Sequence, residues 1–87
     1  MTTQTLLEFP CEFPIKIMGR ESQQFRRLAR ALVEMHTGPL DDSRIHFASS
    51  RNGSFVSVTV TVPAQSQQQL DAIYREVSAN ADVLMAL

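Results

Sequence analysis

Hydrophobic positions along this chain recur every second residue in some stretches and every three to four in others, and the changeovers divide it into elements. From Phe13, the side chains of Phe13, Ile15 and Ile17 alternate with Pro14, Lys16 and Met18. A period of two predicts a strand with one buried face. Pro14 has no N–H to give to a sheet, which suits the beginning of a strand. Gly19 is expected to stop the strand by taking backbone angles closed to other residues.

The period then changes. Ser22 is a candidate N-cap for a helix running to His36, with Phe25, Leu28, Ala29, Leu32 and Met35 on one stripe. Gly38 followed by Pro39 ends it, and the polar "DDS" forms a connection. In "RIHFASSRNGSFVSVTVTVP", Asn52-Gly53 stands between two runs rich in strand formers and predicts a hairpin with a two-residue type I′ turn. That turn sets Phe47 opposite Val58 and Ile45 opposite Val60 on an apolar face. On the other face His46 meets Thr59, Arg44 meets Thr61 and Ser50 meets Phe55. A slip of one residue would mix the two faces.

Pro63 ends the second hairpin strand. Ser66 with Gln69 three residues on is a capping box, ahead of Leu70, Ile73, Tyr74 and Val77 at helical spacing. Asn80 is a C-terminal stop, and the closing "DVLMAL" reads as a last strand. The order strand, helix, strand, strand, helix, strand predicts an α+β, ferredoxin-like βαββαβ sandwich. Its four-stranded antiparallel sheet has order 4-1-3-2, and both helices lie on one face.

Composition narrows the picture further. Eighty-seven residues make one small domain, expected over residues 8–87 behind a frayed tail of residues 1–7. Eight basic residues against nine acidic, with a pI near 6.0, remove the global positive field that draws proteins to nucleic acid or anionic membrane. One cysteine cannot form an internal disulfide. The start carries no signal-peptide pattern, and no apolar run approaches the ~18–20 residues of a membrane span. The expected setting is the cytoplasm, without membrane attachment.

Candidate chemistry is sparse. Cys11 stands between Glu8 and Glu12, which oppose a reactive thiolate, and it reads as the entrance to the first strand. His36, on the apolar side near the end of the first helix, suits the negative end of the helix dipole. His46 projects from the outer sheet face with no nucleophile organised beside it. Catalytic elbows, phosphate-cradling glycine loops and metal-ligand spacings are absent from the sequence. The expectation is a protein that is not an enzyme and holds no cofactor or metal. Arg26, Arg30 and Arg27, with Arg20 just before the helix, form a basic side on the first helix, suited to carboxylate or phosphate contacts.

"LLEFPCEFPIKIMG", "SSRNGSFVSVTVTV" and "LDAIYREVSANADVLMAL" together resemble the YbeD family of small bacterial proteins, from about Leu6 to Leu87. The resemblance implies a fold similar to ACT domains, which are effector-binding modules of amino-acid-metabolism enzymes, and it carries over no catalytic residue. ACT-like modules bind around the loop joining the first strand to the first helix. Here that loop is "MGRES", so the resemblance implies a site at Gly19, Arg20 and Ser22 with Arg26 and Arg30 close by; the charge of Glu21 opposes an anion there. The expected function is therefore a non-catalytic regulatory or adaptor domain, monomeric or weakly dimeric, that binds a small anionic metabolite or a partner protein. The alternative is an RNA-binding module using Lys16, His46 and Phe55 on the open sheet face. A single outward aromatic and the lack of net positive charge argue against nucleic acid.

Overall fold

The structure, a computed structural model, describes residues 7–87. The expected tail, residues 1–7, therefore falls outside the described residues except for Leu7. Its first strand, β1 (Cys11–Arg20), is longer than the alternating run alone implied. Cys11 opens it, as expected, and packs half-buried at the rim of the core. Gly19 does not end it. The residue lies within the strand opposite Val56, and the positive-φ glycines are Gly38 and Gly53 only. Gly19 is there for space: a Cβ would run into the Phe25 ring and stand 2.9 Å from the Asp82 carbonyl oxygen.

Pro14 sits well inside β1 without breaking a ladder. Lys16 exchanges both backbone hydrogen bonds with Leu87, at 3.0 and 2.8 Å, so even-numbered residues of β1 turn their polar groups toward the last strand. That strand, β4 (Met85–Ala86), does not reach as far as Pro14. Among the described residues the missing N–H faces a side with no strand partner, which is where a strand tolerates proline.

Helix α1 (Gln23–Thr37) starts where the sequence places it: the Ser22 hydroxyl accepts from the Phe25 N–H at 2.9 Å. Gly38, at φ 81°, closes the other end. Phe25, Ala29, Leu32 and Val33 are its buried face. Met35, expected on the stripe, is 65 % exposed. At ~100° per residue it lies more than a quarter-turn from the centre of the buried set, and Val33 takes the place assigned to it.

A short 3-10 turn (Asp42–Arg44), in the stretch expected to be only a polar connection, leads into β2 (Ile45–Ser49), which pairs with β3 (Phe55–Ala64). The register is the expected one, with Phe47 opposite Val58, Ile45 opposite Val60 and His46 opposite Thr59. The turn differs. The Gly53 N–H bonds the Ser50 carbonyl at 2.9 Å, Ser50 and Phe55 close the ladder, and Asn52 does not take positive φ. The loop is thus four residues, 51–54, with Gly53 alone left-handed at φ 77°. Asn52 uses its side chain instead, its amide oxygen accepting from the Ser54 N–H at 3.1 Å. A two-residue and a four-residue loop centred on the same point leave the register unchanged, so the pairing survives the change of turn.

Helix α2 (Gln67–Ser78) is capped by Ser66, whose hydroxyl accepts from the Gln69 N–H at 3.1 Å. It ends two residues before the expected stop at Asn80. The sheet order is β2-β3-β1-β4, the predicted 4-1-3-2 counted from the other edge, with every pair antiparallel. Both helices cover one face. Between the layers lie Ile15, Ile17, Val56, Val58, Val60 and Val62 against Phe25, Leu32, Val33, Leu70, Ile73 and Val77. Among the described residues, nothing covers the other face of the sheet.

Candidate binding surface

Period-two alternation delivers a second set of side chains to the uncovered face, in rows set by strand register. One row runs Leu87, Lys16, Thr59, His46; the next runs Met85, Met18, Ser57, Ala48; a third brings Arg20 beside Phe55. The middle row forms the floor of a shallow groove of about 360 Å³, walled by Phe55 at one side and by Leu84 and Met85 at its end. Phe55, Leu84 and Met85 are 42, 59 and 52 % exposed, which is unusual for large apolar side chains lying together.

A second hollow, of about 420 Å³, lies at the junction of β1 and α1, bounded by Arg20, Ser22, Gln24, Phe25, Leu28 and Asp82. Leu84 is the ridge between the two.

The structure divides the candidate loop site. Gly19 is buried beneath the Phe25 ring, while Arg20 and Ser22 line the hollow. Arg20 holds its guanidinium 5.8 Å from the centre of the Phe55 ring and makes no ion pair among the described residues. Ser22 spends its hydroxyl on the helix cap.

Arg26 and Arg30 are turned elsewhere and are already partnered. Arg26 grips Glu21 with two hydrogen bonds, at 2.7 and 3.0 Å, and lies 4.7 Å over the Phe47 ring. That embrace, with a further hydrogen bond from Ser49, holds the Glu21 carboxyl below its ordinary pKa, and Arg26 is correspondingly raised. Glu21, the expected obstacle to an anion, is neutralised by the arginine expected to attract one. Arg30 binds Asp42 at 2.7 Å and Glu34 at 3.1 Å and reaches the Leu40 carbonyl, so it ties the end of α1 to the following loop.

The residues of the alternative surface do meet. Lys16 and His46 flank Thr59 from either side, and Phe55 stands two rows along. His36 points away from this face, its Nε2 lying 3.2 Å from Glu76 Oε1 on α2. Among the described residues no cluster of three His, Cys, Asp or Glu side chains is arranged to hold a metal ion. Leu84, Met85 and Leu87 were missed as surface residues. The signal was present in "DVLMAL", where a two-sided apolar strand at a sheet edge must expose half its side chains when only one face is covered.

Residues 4–87 match the family described as "Protein of unknown function (DUF493)". The chain belongs to this family. This agrees with the YbeD-like resemblance in its first strand, hairpin and last helix. Among DUF493-type relatives, a UPF0250 protein of Nitrosomonas europaea is 40 % identical over 87 residues, covering 100 % of both chains. A UPF0250 protein of Paraburkholderia phytofirmans is 39 % identical over 84 residues, covering 97 % of this chain and 94 % of its own. The solution structure of protein HP0495 from H. pylori is similar to this DUF493 chain, with a TM-score of 0.78 over 99 % of this chain and 90 % of that one. At 17 % identity that likeness is one of fold. No helix among the described residues is long and apolar enough to cross a membrane.

Proposed function

We propose that the chain is a non-catalytic adaptor or regulatory module of the cytoplasm that acts by binding a partner protein on its uncovered sheet face. The observation that carries this reading is the groove of Met18, Phe55, Leu84 and Met85, since large apolar side chains grouped in the open are characteristic of interaction surfaces. The test is cross-linking in living cells of a native host, with a photoreactive phenylalanine analogue in place of Met85 and, as control, in place of Arg75 on α2. A discrete protein adduct from position 85, absent from position 75, supports the reading. Equal adducts from both, or none from position 85, would sink it.

A second reading, capture of a small anionic metabolite, is favoured by the hollow beside Arg20 and the first turn of α1, whose volume suits a small ligand. The exposed Asp82 on its wall opposes it. Titration with inorganic phosphate and with glutamate separates the two: amide shifts at Gln23 and Gln24 support the metabolite, and silence there leaves the sheet face. RNA remains the weaker alternative on that face, because Met18 and Met85 stand where a stacking platform would need a second ring.

A further inference from the structure

We infer that the groove receives a short acidic and apolar segment of a partner protein: large apolar side chains seated against Met18, Phe55 and Met85, and carboxylates met by Arg20 and Lys16. The inference rests on the binding-module reading above and specifies the partner's chemistry.

The unpaired side-chain charge that the strands bring to the uncovered face is positive. Lys16 and Arg20 stand on it, Arg51 lies in the hairpin loop at its end, and none of the three makes an ion pair among the described residues. The one carboxylate β1 contributes to this face, Glu12, is held at the far end by Arg44. Glu21 is tied to Arg26 on the helix side. Asp82 lies beyond the Leu84 ridge, in the neighbouring hollow; Arg20 lines that hollow too but makes no ion pair with Asp82. The cationic excess is therefore local, on a chain whose net charge is −1. It is short-ranged too, since salt screens exposed charges beyond ~8 Å at physiological strength. The Arg20 guanidinium stands beside Phe55, 5.8 Å from the ring centre, and its planar fork suits a two-pronged carboxylate contact.

The floor favours a protein segment over a nucleic acid. Met18, Ala48 and Met85 offer nothing to base edges and Ser57 only one hydroxyl, whereas unbranched, polarizable methionines adapt to varied apolar side chains. The groove crosses all four strands, from Ala48 on β2 to Met85 on β4. At ~4.8 Å per strand that is about 14 Å, the length of roughly nine residues of helix.

The experiment is selection of a displayed random 16-residue peptide library on the full chain. Selected peptides are then titrated by fluorescence anisotropy against wild type, Lys16→Glu/Arg20→Glu, Met85→Asp and, as control, Arg75→Glu, each checked for folding by the dispersion of its NMR spectrum. The expected peptides carry net negative charge and at least two large apolar residues. Their affinity drops tenfold or more in the first two variants, stays within twofold in the control, and weakens as salt rises. Neutral or basic winners, no enrichment, or indifference to Met85→Asp would overturn the inference. So would a uridine 12-mer RNA that binds the same face more tightly than any selected peptide. If the selection fails while the cellular adduct at position 85 persists, the adaptor reading stands and only the acidic partner is lost; if both fail, both are wrong.

Discussion

Gly19 of β1 and Phe25 of α1 are in close contact, the ring occupying the space that any β-carbon at position 19 would need. The contact is what lets the first turn of α1 lie down on the sheet, and it shapes the floor of the hollow beside Arg20. Gly19→Ala is expected to cost about 1–3 kcal/mol, the range of forced overpacking. Because the clash needs the ring, Phe25→Ala in the same chain should recover part of that loss. Urea unfolding of the two single variants and the double variant gives the coupling; strictly additive effects would show that the ring moves aside freely.

The Glu21–Arg26 pair predicts a pH dependence with a definite sign. Hydrogen bonding to Arg26 lowers the Glu21 pKa below its ordinary value of 4.5 in the folded protein. A lowered folded-state pKa contributes stability that is fully present above the unfolded value and is lost as pH falls through the folded one. The melting temperature should therefore drop from about pH 5 downward, with Asp41, lowered by its bonds to Ser43, adding to the trend. Glu21→Gln should flatten the acid limb; an unchanged acid limb in that variant would remove Glu21 from the account.

At the hairpin tip, Gly53 has φ 77° with no atom near where a Cβ would stand. The penalty for a side chain is then conformational alone, about 1–2 kcal/mol for Gly53→Ala and less for Gly53→Asn. Cross-strand contacts between Phe47 and Val58 should persist in both variants, because the buried face and not the turn holds the register. A shifted NOE pattern would contradict this.

Gln69 joins the two helices at one end. Its carbonyl oxygen accepts from the Gln65 N–H at 2.8 Å, and its amide donates to the His36 carbonyl at 3.0 Å. Gln69→Ala should cost about 1–2 kcal/mol by thermal unfolding. Gln69→Glu keeps the first bond and loses the second, so it should fall between alanine and wild type only if the link to His36 contributes.

Met35 and Leu32 should separate sharply. Met35→Lys is expected to change stability by less than about 0.5 kcal/mol, as at an ordinary surface position. Leu32→Ala, at a position 6 % exposed, should lose about 2–5 kcal/mol. Comparable losses would restore Met35 to the buried stripe.

Elements that depend on neighbours in sequence were legible without coordinates. Ser22 and Ser66 name their own helix starts, because a hydroxyl three residues before a free N–H needs nothing else. The hairpin register follows from matching Ile45 and Phe47 to Val60 and Val58, which any other alignment would spoil. Strand order followed from the handedness of the crossovers. By contrast, the roles of Gly19, Pro14, Arg26 and Arg30 depend on residues distant in sequence. Gly19 accommodates Phe25, Pro14 is tolerated because β4 stops short, and the two arginines find Glu21, Phe47, Asp42 and Leu40 across a turn or between layers.

The sequence by itself determined the βαββαβ order, the caps, the pairing of β2 with β3 and the absence of familiar catalytic spacings. These rest on local periodicity and backbone chemistry, which the chain carries at every point. Only the tertiary structure decided which charges are already satisfied and which face remains uncovered. An arginine's availability depends on what folds up against it, and an apolar side chain becomes a surface only when no second layer comes to cover it. That is why Arg26 and Arg30 are bound within the fold, while Met18, Phe55 and Met85, unremarkable in the sequence, stand together in the open beside Arg20.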